Sequence, residues 1–480
     1  SPLDEALDVG QRAAARPVPQ YQPDRRLVGQ PGHAPRPADE DDRRGSALVL
    51  VSASANTFAA PPARRPRGGP KTAPDGRDLK IRAIRHLFLQ KIRTQLCREG
   101  KGGAKMLLEF TLSNYKCFRF PATLSFLAAK ADRKLRGNIH QGQRSEALKS
   151  VLLFGANASG KTTLLEAIAM FSRFVGISAT RMTLEDPIPC AEPFLLSADA
   201  REKPSVFEVA VEIDGAGYRY RVAVSPTAVV EERLEHQASS KGAAWVTLID
   251  RAADRRPALH ERLGATARRR QLLEDTRPNG LLVSRAAERN VEVVIPLFNW
   301  IRSHLAVGPG VLGRDGEDRM LRTAAKRANE DPEFRARLET LVRDADTGIV
   351  ALGTETAART IPATIRFAMP PDHLRNELPA VELVPDRRVV RFDRFFTFHA
   401  GESGDSVRFE TGQESMGTRR FLAIASHALL CGETGGLLVL DELDASLHPH
   451  LARRLVEMFH SPAYNATGAQ LLSTAQDASL

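Results

Sequence analysis

Residues 155–162 read Gly155-Ala156-Asn157-Ala158-Ser159-Gly160-Lys161-Thr162. The apolar run Val151-Leu152-Leu153-Phe154 precedes them, and Leu164-Leu165-Glu166-Ala167-Ile168 follows at helical spacing. Strand, glycine loop and helix in that order make a P-loop. Its glycines let backbone N–H groups curl around a phosphate chain, and the helix N-terminus adds a positive dipole end. Gly155, Asn157, Ser159, Gly160 and Thr163 are the expected cradle. Lys161 supplies a mobile charge for β- and γ-phosphates, and the Thr162 hydroxyl can ligate Mg²⁺. The expected fold class is α/β and the expected ligand a nucleoside triphosphate.

A second half of the site is expected far downstream. Gly435-Gly436-Leu437-Leu438-Val439-Leu440-Asp441-Glu442 reads as a buried strand ending in two carboxylates. Asp441 is placed to hold Mg²⁺ opposite Thr162, and Glu442 to polarise an attacking water as general base. Lys161 and Asp441 lie 280 positions apart, so a large insertion must split the nucleotide domain into two lobes. Between them, Glu414-Ser415-Met416-Gly417-Thr418-Arg419-Arg420 opens the apolar helix beginning Phe421-Leu422-Ala423. A Ser-x-Gly-Thr at a helix start can be a plain cap or an anion cradle.

Taken together, these segments resemble the Walker A, signature, Walker B and D-loop of ABC-type ATPases. The D-loop run is Leu440 to Pro449, and the signature is similar to the SMC and RecF branch rather than the transporter branch. Within that branch the chain resembles stand-alone prokaryotic AAA-domain ATPases related to overcoming-lysogenization-defect and abortive-infection proteins. Further carrying segments are Phe110 to Phe118, Pro204 to Val209 with Tyr218-Arg219-Tyr220, and Gln470 to Asp477. The resemblance spans residues 106–480. It implies ATP and Mg²⁺ as ligands, a homodimer that sandwiches ATP between one P-loop and the partner's Ser415 and Gly417, and hydrolysis at Glu442. It also implies a phage-defence or other DNA-linked role, with a separate effector nuclease as a further partner and DNA as an open one.

Two departures bear on turnover. Such families place a switch histidine in Thr-Thr-His-Asp, where this chain has Thr474-Ala475-Gln476-Asp477. Gln476 can hydrogen-bond a γ-phosphate but carries no imidazole proton. No glutamine occurs between Lys161 and Gln237, so no Q-loop residue is assigned.

The ends differ from the body. Residues 1–105 contain 12 of the 30 prolines and none of the seven methionines, which begin at Met106. The expectation is a disordered or non-native upstream segment; the competing reading is a genuine basic arm, with Ile81, Ile84, Phe88, Ile92 and Leu96 on a basic amphipathic helix. This segment holds 20 Lys and Arg against 11 Asp and Glu, a net +9 of the chain's +10. The basic balance is therefore no argument for nucleic-acid binding by the body. The chain also looks cut short at Leu480.

The expected organisation is an N-terminal ATPase lobe over 106–230, a mainly helical insertion over 231–380, and a C-terminal lobe over 381–480. Phe207 to Ile213 and Tyr218 to Val224 alternate around Asp214-Gly215, a hairpin pattern. No heptad run supports a long coiled-coil arm. The four cysteines form no Cys-x-x-Cys pair and read as free thiols of a reducing cytoplasm. His448 and His450 read as D-loop neighbours rather than metal ligands. No apolar run reaches membrane-spanning length, and Ala47 to Ala60 lacks the flanks of a signal peptide. Three further functions stay open beside the ATPase switch: a nucleotide-gated interaction module with little hydrolysis, an SMC/RecF-like DNA repair ATPase, and a transporter subunit, which the signature disfavours.

Overall fold

The computed structural model describes residues 49–51, 104–129, 135–308, 311, 315–345, 347–362, 380–384, 387–445 and 447–476. The Lys80–Cys97 helix and the Ala47–Ala60 stretch fall outside these residues, apart from a short strand, β1 (Val49–Val51).

The chain then forms β2 (Lys105–Ser113), β3 (Ala122–Ser125), the small hairpin β4 (Ile139–Gln141) and β5 (Glu146–Leu148), and β6 (Ser150–Phe154). Helix α1 (Lys161–Ile177) follows the P-loop. Next comes a meander of β7 (Ser205–Ile213), β8 (Ala216–Val224), β9 (Val229–Gln237), β10 (Trp245–Ala252) and β11 (Arg255–Leu259). Helices α2 (Thr266–Glu274), α3 (Leu282–Glu288) and α4 (Ile295–Ser303) lead to β12 (Leu305–Val307). Helices α5 (Asp315–Glu330) and α6 (Pro332–Asp344) precede β13 (Ile349–Pro362), β14 (Ala380–Val384), β15 (Arg387–Ala400) and β16 (Ser406–Glu410). The chain closes through α7 (Met416–Thr434), β17 (Leu437–Leu440), α8 (Pro449–His460) and β18 (Gln470–Thr474).

The central sheet runs β1-β6-β18-β17-β12, parallel from β6 to β12, with β1 antiparallel at its edge. Its strands are apolar without alternation because both faces are covered. Alternation instead sorts side chains between two cores. Val151, Leu153, Val439 and Leu472 face one core, with α1, α3, α4 and the antiparallel sheet β11-β10-β9-β8-β7-β2-β3. Leu152, Leu438, Leu440 and Leu471 face the other, with α5, α6, α7 and α8. Thus the P-loop strand and the Asp441 strand meet in one sheet although 280 residues separate Lys161 from Asp441.

Two buried polar side chains tie the layers together. Gln470 accepts from Leu107 N at 2.7 Å and donates to Leu107 O and Leu148 O, joining β18 to β2 and β5. Glu232, fully buried on β9, accepts from Leu282 N at 2.8 Å and Val283 N at 2.9 Å, so it caps α3. Tyr220 donates to it at 3.0 Å, Arg251 lies 3.8 Å away, and burial pushes its carboxyl above the usual range.

The Asp214-Gly215 turn is a two-residue hairpin loop with φ of 52° and 78°. The antiparallel sheet continues through Leu259, and the helices of the insertion begin at Thr266. Glu231, Arg233 and Glu235 alternate with Glu232, Leu234 and His236; Glu231 and Arg233 pair across strands with Arg221 and Asp250, and Glu235 pairs with Arg233 on its own strand.

Candidate nucleotide site

The P-loop turns at Ala158 (φ 62°) and Gly160 (φ 93°), backbone that the glycine adopts without strain. Gly160 is the N-cap of α1, and no side chain caps this helix and no acid stands in its first turn. Its first N–H groups, through Thr163, are therefore left for an anion. By contrast α7 is capped by Ser415, whose Oγ accepts from Thr418 N at 3.1 Å. The loop is tight: a Cβ at Gly155 would come 2.9 Å from Ser159 Oγ, and one at Gly160 3.0 Å from both Cys117 Sγ and Phe118 Cζ. Ser159 Oγ is buried without a hydrogen-bond partner. Lys161 Nζ donates to Gly155 O at 2.7 Å and Ala156 O at 3.0 Å, which lays the ammonium back along the loop. Asn157 is exposed on the same loop.

Asp441 ends β17 and is buried. Its Oδ2 accepts from Thr162 Oγ1 at 2.8 Å, and its Oδ1 accepts from Thr474 Oγ1 at 2.5 Å. Thr474 Oγ1 also accepts from Glu442 N at 2.7 Å, so one hydroxyl at the end of β18 orders both carboxylate residues. Glu442 is exposed and sits at φ 50°. Gln476 Nε2 reaches Glu442 Oε1 at 3.4 Å, and Gln476 N donates to Asp444 Oδ2 at 2.7 Å. The structure therefore brings Lys161, Thr162, Asp441, Glu442 and Gln476 to one end of the central sheet.

Ser415 and Gly417 lie at the start of α7, where Ser415 and Met416 are exposed. Glu414, just before them, is held by Thr397 and by His399 Nε2 at 2.7 Å. His448 caps α8, accepting from His450 N at 3.4 Å, with the two rings stacked at 5.3 Å. Cys117, Cys190 and Cys431 are free, and Cys97 lies outside the described residues.

Three participants were not singled out as site residues from the sequence: Thr474, Arg420 and the Tyr115–Phe118 turn. Arg420 Nη2 donates to Asp441 O and Glu442 O. The Tyr115–Phe118 turn packs on Gly160, and Lys116 pairs with Glu166 of α1 at 2.9 Å. Thr474 and the Tyr115–Phe118 turn lay within segments that carried the resemblance and Arg420 two positions past one, but their roles arise only where distant segments meet.

The donor set suits a small hard cation. A hydroxyl and one carboxylate leave the remaining octahedral positions to water and phosphate oxygens, as Mg²⁺ requires. Among the described residues no group of three or more His, Cys, Asp or Glu could hold a metal by itself. No described helix is long and apolar enough to cross a membrane.

Fold and site together define an α/β P-loop NTPase. A family profile described as "AAA domain, putative AbiEii toxin, Type IV TA system" matches residues 150–478, and the chain belongs to that family. Among curated proteins nothing matches. Among solved structures, an SMC head bound to the C-winged helix domain of ScpA is 14% identical over 78% of this chain and 90% of its own, with a TM-score of 0.36. An SMC head domain from Thermotoga maritima is 12% identical over 77% and 89%, at 0.33. The recombination mediator RecF with ATP is 13% identical over 79% and 94%, at 0.32.

Proposed function

We propose that this chain is an ATP-driven switch: it binds ATP with Mg²⁺, dimerises around it and hydrolyses it. The observation that carries this reading is the 2.8 Å contact of Thr162 with Asp441, two Mg²⁺-type ligands brought together across the split domain. The uncapped α1 terminus and Lys161 bind the phosphates, while Thr162 and Asp441 hold the cation, whose charge offsets that developing on the phosphoryl group. Glu442 accepts the proton of the attacking water, and Gln476 steadies its carboxylate. The exposed Ser415 terminus of α7 takes the nucleotide of a second copy, because it is open to solvent. Its setting is phage defence or another DNA-linked process, and the family description points to a toxin–antitoxin system.

A second reading, a nucleotide-gated module with little hydrolysis, is favoured by Gln476, whose amide cannot shuttle a proton. Glu442→Gln separates the two. Loss of a general base costs about 10²–10⁴-fold in rate, and with hydrolysis blocked the ATP-bound dimer should persist in light scattering. Ser415→Arg should abolish that dimer. A Glu442→Gln protein that stays monomeric at saturating ATP sinks the switch; equal slow turnover in both proteins makes the module the better reading.

A further inference from the structure

We infer that Arg420 couples the two nucleotide sites of the dimer by tying α7 to the hydrolytic turn of its own subunit. This rests on the sandwich reading above. Arg420 lies five positions after Ser415 on the same helix. Its Nη2 donates at 2.8 Å to Asp441 O and at 2.8 Å to Glu442 O. Glu442 occupies the left-handed region, which a residue with a side chain keeps only when its surroundings hold it there. A guanidinium on two successive carbonyls is one such hold, and Thr474 Oγ1 on the Glu442 N–H is the other.

The neighbouring Arg419 points elsewhere, to Glu317 at 3.2 Å and Asp318 at 2.9 Å at the start of α5. Adjacent arginines thus anchor one helix start in two directions, to the hydrolytic turn and to the flanking helix. In the sandwich, Ser415 meets the partner's nucleotide while Arg420 grips the Glu442 that serves its own subunit's nucleotide. Any shift of the α7 terminus on engagement passes over five residues to the carbonyls that set the Glu442 conformation. Arg420 donates to two backbone carbonyls, and its charge also counters the burial that raises the Glu317 carboxyl; neither is a reacting group, so it is a positioning residue. Its consequence is that each site turns over fully only when the other is filled.

The test compares wild type, Arg420→Met and Arg420→Lys. Wild type should hydrolyse ATP with a Hill coefficient between about 1 and 2, the ceiling for two sites. Arg420→Met should keep the ATP-dependent dimer and a KM close to that of wild type. Its kcat should fall by about 10–100-fold, the usual effect of a displaced catalytic group, and its Hill coefficient should fall to 1. Amide exchange at Glu442 and Leu443 should quicken in the nucleotide-free protein. Arg420→Lys, which restores one donor, should fall between, and it decides the matter if the Met variant does not fold. Unchanged kcat, Hill coefficient and exchange in the variants overturn the coupling, as does a wild type with a Hill coefficient of 1. A Glu442→Gln protein that stays monomeric in ATP refutes the sandwich and the coupling with it; a Glu442→Gln dimer together with unchanged Arg420-variant kinetics refutes the coupling alone.

Discussion

Lys161 rests on two carbonyls of its own loop rather than on a carboxylate, so its charge is available to a phosphate chain without an ion pair being broken. Lys161→Ala removes charge-assisted hydrogen bonds of about 1.5–3 kcal/mol each. ATP affinity should drop by about two orders of magnitude, with folding intact because the side chain supports no core. Calorimetry on the nucleotide-free protein checks this, and undiminished affinity removes the P-loop assignment. At this scale the motif residues were legible because each motif is contiguous: Gly155 to Thr163 and Leu440 to Glu442 announce themselves by order alone. Thr474 and Arg420 were not legible as site residues. Threonine at a strand end and arginine on a helix are common, and only the meeting of β17, β18 and α7 gives them two acceptors or donors each.

At the level of elements, the hairpin at Asp214-Gly215 could be read outright, since alternation on both sides of a two-residue loop leaves one register. Residues 229–237, Val229-Val230-Glu231-Glu232-Arg233-Leu234-Glu235-His236-Gln237, were harder: their charge density suits a solvated helix as well as a strand. What decides is the partner strand, because Arg221 and Asp250 on β8 and β10 neutralise the exposed face. Glu232, on the other face, could not be read as a helix cap, because the helix it caps lies 50 positions away. Glu232→Ala should leave the Leu282 and Val283 N–H groups and the Tyr220 hydroxyl without their acceptor and remove the carboxylate facing Arg251. Breaking a buried pair from one side costs about 3–5 kcal/mol. A melting temperature unchanged in Glu232→Ala would show that α3 is held by its apolar face alone.

For the whole molecule, the central sheet serves two cores, both built from residues after position 103. Deleting residues 1–103 removes only β1 from the described fold. ATP binding should survive that deletion; its loss would show that the edge strand supports the P-loop strand β6.

The second core also sets a pH dependence. Burial pushes His427, within α7, down to about 4, and burial together with Lys149 does the same to His460 at the end of α8. His427 Nδ1 faces Ala423 O at 3.3 Å, and His460 Nε2 faces Ser150 Oγ at 2.7 Å. Burial lowers His140, His236 and His304 in the same direction. In the unfolded chain His427 and His460 take up protons near pH 6.5, well before the native rings do at about 4. The stability these two supply is therefore full above the unfolded value and is lost as pH falls towards 4, at about 1.4 kcal/mol per pH unit for each of the two. Glu232, Glu317 and Glu433, whose carboxyls burial raises, act the other way, binding protons in the folded state first, and soften the fall towards its acid end. Melting temperature should thus decline steadily between pH 7 and pH 5, well before ordinary carboxylates titrate. His427→Leu with His460→Gln should flatten that decline while leaving the pH 7.5 value nearly unchanged, because neutral groups replace neutral groups. A melting temperature flat across this range in the wild type would mean that both rings protonate as readily in the folded protein as in the unfolded chain.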